Sequence, residues 1–220
     1  MKRNIITTGD GSKTIQIQDW EEQYHSVHGA VNEAYHVFID KGLEYHTNKA
    51  IRILEIGFGS GLNALITLIE SGKNGRVVDY TGIEAYPVSI EEVLQLEYIE
   101  TLNAEAYRKP FFEMHECAWG LKTELTSHFT FLKQKMDFQE ISDTSLYDLI
   151  YFDAFGARVQ PELWTEIVFA KMYKALSANG VLVTYAAKGS VRRAMQSVGI
   201  VVERLPGPPG KREMLRALKV

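Results

Sequence analysis

The chain has 220 residues, 45% of them hydrophobic and 24% charged, with a formal net charge of −4 and one cysteine, Cys117. That composition supports one sizeable core, and no apolar run approaches the roughly 20 residues needed to cross a bilayer, so a soluble cytoplasmic protein is expected. A single cysteine excludes an intrachain disulfide and a cysteine-cluster metal site, and the closest-spaced histidines, His25 and His28, have no third ligand nearby, so no metal is expected.

In chain order, Asn4–Thr8 and Lys13–Ile17 flank Gly-Asp-Gly-Ser, the pattern of a β-hairpin in which Gly9 or Gly11 takes a positive φ. Trp20 to Asp40 carries helix-like segments rich in Tyr, His and Glu, placed to fold over whatever cleft the following strand opens. Residues 1–50 are therefore taken as an N-terminal extension and 51–220 as the main domain. From residue 51 strand and helix alternate, which predicts a mostly parallel seven-stranded sheet with helices on both faces. The predicted strands are 51–57, 77–84, 128–134, 147–153, 180–187, 200–205 and 213–219; the predicted helices are 62–71, 88–102, 161–177 and 189–198. Pro161 suits the opening of its helix, and Gly180 a turn beyond its end. Residues 103–127 give no clean period and are read as an insertion over the sheet edge.

The chemistry concentrates around Ile51-Arg-Ile-Leu-Glu-Ile-Gly-Phe-Gly-Ser-Gly-Leu-Asn-Ala64. A buried strand runs into a turn with Gly57, Gly59 and Gly61 and then into an apolar helix. Such a turn lets a ligand approach the main chain, and the helix start offers it N–H donors. The spacing is E-x-G-x-G-x-G, with Glu55 leading, where a dinucleotide site has G-x-G-x-x-G. It resembles motif I of the class I S-adenosylmethionine methyltransferases; a glycine turn without a ligand is the competing reading. Glu84 ends the next strand, 27 residues after Gly57, where such folds place the carboxylate that binds ribose hydroxyls. Asp137, after the strand that follows, is a third candidate, accepting from the adenine amino group.

Tyr147-Asp-Leu-Ile-Tyr-Phe-Asp-Ala-Phe155 reads as a central strand delivering Asp153 and Phe155 to the ligand end of the sheet. It partly resembles the [D/N]-P-P-[Y/F] element of amino-methyltransferases, with Ala154 in place of the prolines. Capping of the loop by Asp153 is the structural alternative. Residues 188–220 hold eight Lys or Arg against two Glu, so this basic segment of an acidic chain suits a polyanionic partner or forms a solvated face.

Glu55-Ile-Gly-Phe-Gly-Ser-Gly-Leu-Asn63, Asp153-Ala-Phe155, Pro161-Glu-Leu-Trp164, Val191-Arg-Arg193 and Gly210-Lys-Arg-Glu-Met-Leu215 occur in an order that resembles the methyltransferase part of the MnmC family. A Glu33…Val37-Phe38 element extends the likeness toward the start. The resemblance implies a Rossmann-like α/β fold with an antiparallel last strand. It also implies methyl transfer from S-adenosylmethionine to the amine of 5-aminomethyl-(2-thio)uridine at the tRNA wobble position. At 220 residues the chain is too short for the family's flavin-dependent oxidase domain, which implies a stand-alone, MnmD-like form acting after a separate oxidase.

By the same resemblance Glu33, Glu55, Gly57, Gly59, Gly61, Asn63, Glu84, Asp137 and Asp153 surround the cofactor, and Asp153 with Phe155 meets the amine. Phe155 and Trp164 would pack on the flipped base, and Lys188, Arg192, Arg193, Lys211 and Arg212 would contact phosphates of the tRNA anticodon stem-loop. A primary ammonium has a pKa of about 10 and must lose its proton before it can attack a methyl group. A carboxylate of ordinary pKa is a poor base for that proton, so Asp153 is expected chiefly to aim the amine. Two other readings share these features. An aminopropyltransferase uses the same fold and an acidic amine pocket, although a basic segment would repel a polycation. A non-catalytic nucleotide-binding module would leave Asp153-Ala-Phe155 without a use.

Overall fold

The computed structural model describes residues 2–220. The chain opens with a small antiparallel sheet of β1 (Arg3–Thr7), β2 (Lys13–Ile17) and β3 (Glu22–Gln23), the first two forming the expected hairpin. A short helix α1 (Ala30–Ala34) continues into a wider π-helical turn through Asp40. The main sheet then takes β4 (Ala50–Ile56), β5 (Val77–Glu84), β6 (Thr123–Thr126), β7 (Phe129–Lys135), β8 (Tyr147–Phe152), β9 (Leu176–Thr184), β10 (Val201–Pro206) and β11 (Glu213–Leu218). Their spatial order is β10-β11-β9-β8-β4-β5-β7-β6. β4, β5, β7, β8 and β9 run parallel, and β11 runs antiparallel between β9 and β10.

Period-two alternation on the central strands explains why both faces are covered. On β8, Leu149 and Tyr151 enter one hydrophobic core while Ile150 and Phe152 enter the other. On β4, Ile51 and Ile53 face the first core, and Leu54 and Ile56 the second. Every one of these side chains must leave water, so helices have to pack on both sides. The first face is covered by α2 (Leu62–Asn74), α3 (Ile90–Leu96), α4 (Tyr98–Thr101) and α5 (Arg108–Glu116), the second by α6 (Glu166–Ala175) and α7 (Gly189–Ser197). No helix among the described residues is long and apolar enough to cross a membrane.

Four details differ from the sequence-based expectation. Residues 103–127 contain α5 and an eighth strand, β6, antiparallel at the edge of the sheet. Thr123-Glu-Leu-Thr buries Leu125 alone, too little to give a period. The helix expected over 88–102 breaks at Glu97, whose φ of 53° ends α3 while its carboxylate pairs with Lys13 at 2.6 Å. The one expected over 161–177 is a 3-10 turn, Pro161–Trp164, separated from α6 by an extended Thr165. Gly180 lies inside β9, and Asn179 takes the positive φ instead, at 60°.

The N-terminal segment shares the first core with the sheet: Ile15, Ala34, Val37, Phe38 and Leu43 pack with residues of β4, β5 and α2. Phe38 is 1% exposed, with its ring centroid 5.1 Å from that of Tyr151 on β8. Phe38→Ala should lower the free energy of unfolding by about 3–5 kcal/mol, the usual cost of deleting a buried ring. Urea unfolding followed by tryptophan fluorescence and by far-UV dichroism should shift together, because the segment and the sheet share that core.

Candidate functional site

The sheet's topology places the site. Strand order reverses direction between β4 and β8, and the loops after their carboxyl ends diverge to leave a crevice. The turn after β4 is drawn across β5 because the N–H groups of Gly57 and Phe58 both donate to the Ile83 carbonyl, at 3.0 and 2.9 Å. Gly57 has a φ of +89°, and a Cβ there would lie 2.7 Å from the Asp153 carbonyl oxygen. Gly59, at φ +52°, brings the backbone against the Tyr24 ring in the same way. A side chain at either position would fill the space that the turn leaves open.

The crevice is a single cleft of about 1010 Å³, counting the solvent at its mouth. Gly57, Gly59, Asn63, Glu84, Asp137 and Phe138 are among its lining residues. Glu84 is 8% exposed and accepts from the N–H groups of Gly59 (2.9 Å) and Tyr86 (2.8 Å), which fix its carboxylate while leaving lone pairs toward the cleft. Asp137 is exposed at the rim and accepts from Gln139 N–H at 2.8 Å. A glycine cradle, a clamped carboxylate and a second acid at the rim fit an adenosyl group with its two ribose hydroxyls and amino group.

Asp153 and Phe155 also line the cleft, with Trp20, Tyr24, His25 and Tyr185. Phe155 meets Tyr24 and Trp20 edge to face, with centroids 5.0 and 5.5 Å apart. Asn63 Nδ2 donates to Glu55 Oε1 at 2.9 Å and to Asp153 Oδ2 at 2.8 Å, so one amide bridges two carboxylates. Burial, with the nearby Glu33 charge, pushes the Asp153 carboxyl up to about 7, against the opposing Asn63 bond and Lys211. Glu55 is fully buried, and that burial holds its pKa well above the ordinary carboxylate range.

Several residues predicted for the site lie elsewhere. Glu55 and Gly61 are behind the cleft wall, Glu55 under Asn63 and Gly61 against His115 at the start of α2. Trp164 is only 5% exposed, wedged among Phe152, Phe169 and Tyr185, so it has no face free to stack on a base. Its indole N–H donates to the Phe155 carbonyl at 2.8 Å and thereby holds the loop that carries Phe155.

Lys211 is not a free surface cation. Its ammonium pairs with buried Glu33 and stands 3.9 Å from the centre of the Tyr185 ring. Arg204 and Arg216 are likewise paired, with Glu213 and Glu203. Lys188, Arg193 and Arg212 are exposed and Arg192 half-buried, and these four have no carboxylate within 4.0 Å among the described residues. Trp20, Tyr24, His25 and Tyr185 escaped residue-level prediction. The aromatic and histidine-rich run from Trp20 was the only signal for the first three, and Tyr185 had none.

A cradle for an adenosyl group, joined to an acidic and aromatic pocket at the switch point of a parallel sheet, defines a methyltransferase of the class that uses S-adenosylmethionine. The chain belongs to the S-adenosyl-L-methionine-dependent methyltransferase family whose model matches residues 99–220. Within that class its relatives include MnmC proteins. It is 28% identical over 215 residues to the tRNA 5-methylaminomethyl-2-thiouridine biosynthesis bifunctional protein MnmC of Ralstonia nicotianae, an alignment covering 89% of this chain and 31% of that protein. The chain thus spans about a third of the length of this bifunctional relative. The crystal structure of MnmC2 from Aquifex aeolicus superposes with a TM-score of 0.78 at 23% identity, covering 98% of this chain and 69% of that one. Spermidine synthase of Thermotoga maritima shares the fold at a TM-score of 0.58 and 14% identity, covering 100% and 72%.

The raised pKa of Asp153 has a stability consequence. A carboxyl whose folded pKa exceeds its unfolded value contributes stability below about pH 4 that is lost as the pH rises through about 7. Asp153→Asn removes the ionisation and keeps an acceptor for Asn63. Without cofactor, the variant should match the wild type near pH 4 and exceed it by about 1–3 kcal/mol at pH 8, since a tenfold change in proton affinity is worth about 1.4 kcal/mol. Urea unfolding at the two pH values measures the difference.

Proposed function

We propose that the chain transfers a methyl group from S-adenosylmethionine to the exocyclic primary amine of 5-aminomethyl-(2-thio)uridine at the wobble position of tRNA, giving the 5-methylaminomethyl product. The observation that carries this reading is Asp153, held by Asn63 in a cleft that Phe155, Tyr24 and Tyr185 also line. The names of the MnmC relatives support the choice of substrate. A flavin-dependent oxidase activity would act upstream to supply the aminomethyl group.

The cofactor, held by the glycine turn, Glu84 and Asp137, supplies an electrophilic methyl on a sulfonium. Asn63 occupies Asp153 Oδ2, which leaves Oδ1 to accept from the amine and point its lone pair along the line of attack. An acid of pKa about 4 lies some six units below an alkyl ammonium, whereas Asp153 at about 7 lies three below it. Burial therefore halves the deficit, and Asp153 can receive the proton briefly as well as aim the nitrogen. Phe155, fixed through its carbonyl by Trp164 and braced by Trp20 and Tyr24, offers the uracil an aromatic edge or face.

Single-turnover methylation of purified hypomodified tRNA across pH 6 to 10 tests the assignment. Asp153→Ala should slow methyl transfer by about 10²-fold or more, and Asp153→Asn should retain part of the rate because it keeps the acceptor. In both variants cofactor affinity should change little. Equal loss in the two, with disappearance of an acid limb near pH 7, would assign Asp153 as base alone. No methylation by the wild type, with methyl transfer to a polyamine control, would favour the small-amine reading that spermidine synthase's shared fold brings with it.

The exposed cations make a separate prediction. Replacing Arg193 and Arg212 together by Ala should weaken tRNA binding without changing cofactor affinity. Each lost phosphate contact should reduce the log–log salt slope by roughly 0.7 to 0.9, read by filter binding from 50 to 300 mM salt. An unchanged slope would remove this face from the tRNA interface.

A further inference from the structure

His25 lines the cleft, is 7% exposed, and takes no part in the chemistry described above. Its ring is oriented from behind by Thr14 on β2, a fully buried residue whose Oγ1 lies 3.1 Å from His25 Nδ1. The same oxygen accepts from the His25 backbone N–H, also at 3.1 Å. The hydroxyl has no other partner among the described residues, so its proton has one acceptor available, Nδ1. Nδ1 therefore accepts, and the hydrogen of the neutral ring lies on Nε2. That nitrogen has no partner among the described residues, yet it is not sealed from solvent as the nitrogen of His115 is.

We propose that His25 donates a hydrogen bond from Nε2 to an oxygen acceptor bound in the cleft, and that Thr14 is the positioning residue that sets its tautomer. Two oxygens share this chemistry: the carboxylate of the cofactor's methionine moiety, and a carbonyl of the target uracil, the latter resting on the substrate reading above. Burial lowers the His25 pKa to about 4, with Glu33 opposing and Lys211 reinforcing that shift. The ring is thus uncharged at neutral pH. It offers a donor without placing a cation beside a sulfonium and an ammonium, both of which a positive charge would repel. A lysine or arginine could make the same bond but would oppose the binding of both reactants.

The test uses the whole chain. Nitrogen-resolved NMR of the imidazoles, with the His25 signal assigned by its loss in His25→Phe, should show an Nε2–H tautomer in the free protein. It should become mixed in Thr14→Val. Addition of S-adenosylhomocysteine should move the Nε2 proton downfield if the cofactor carboxylate is the acceptor. If only hypomodified tRNA moves it, the acceptor is on the base. Calorimetry and steady-state kinetics separate the same two arms: His25→Phe should raise the Kd for S-adenosylmethionine, or the KM for tRNA, by about 10- to 100-fold. His25→Gln, whose amide N–H reaches the Nε2 position, should restore most of whichever is lost, and it serves as the probe if the Phe variant does not fold. An Nδ1–H tautomer in the free protein would overturn the proposal, as would a Phe variant equal to wild type in both constants. The cofactor arm needs no tRNA, so it stands or falls independently of the substrate reading.

Discussion

The site depends on one side-chain amide. Asn63 Nδ2 divides its two hydrogens between Glu55 and Asp153, carboxylates that come from the interior and the carboxyl end of neighbouring strands. Two acids in a dry setting repel one another and lose their hydration, and an uncharged donor shared between them relieves both effects without supplying a neutralising charge. Burial is the larger influence and holds both carboxyls toward the protonated form against the opposing Asn63 bonds. Because Asn63 is in the first turn of α2, the glycine turn that leads into that helix also sets the position of the Asp153 carboxylate. The proposed cofactor and amine sites are thereby one mechanical unit.

The cleft is built for cations without containing one. Glu84 and Asp153 line it together with Trp20, Tyr24, Phe155 and Tyr185, and the Glu33 charge acts on Asp153 from nearby. The nearest lysine, Lys211, is occupied by Glu33 and the Tyr185 ring. On the proposed reading a sulfonium and an alkyl ammonium, brought together for reaction, would repel each other, and the neighbouring carboxylates would offset that repulsion. Desolvation then works in the other direction on the amine, favouring the neutral form that carries a lone pair.

Much of this was legible in the sequence for physical reasons. Strands buried on both faces write near-continuous apolar runs, so β4, β5 and β8 could be read directly, as could the glycines between β4 and α2. Glu84, Asp137, Asp153 and Phe155 could be placed because residues at the carboxyl ends of parallel strands share a crevice. β6 was illegible because an edge strand of four residues with one buried side chain has no period. Trp164 and Lys211 were misplaced because composition reports a residue's chemistry and not its facing: the indole turned inward to a carbonyl, the ammonium to a buried glutamate. Tyr24 and His25 reach the cleft through a segment about thirty residues ahead of the glycine turn, a tertiary contact that local pattern does not encode.

The place of β11 bears on how the molecule is made. This strand is inserted between β9 and β10, so the sequence-late Glu213–Leu218 becomes an interior strand with neighbours on both sides. A chain ending before Glu213 would leave β9 with an open edge and β10 with no hydrogen-bonded neighbour in the sheet. It would also lack Met214, Leu215 and Ala217, each fully buried. During synthesis on the ribosome, the parallel strands can collapse early, but the sheet cannot close until Glu213–Leu218 emerges. Until then an unpaired apolar edge waits for a partner, and a rival chain offering a strand can occupy it.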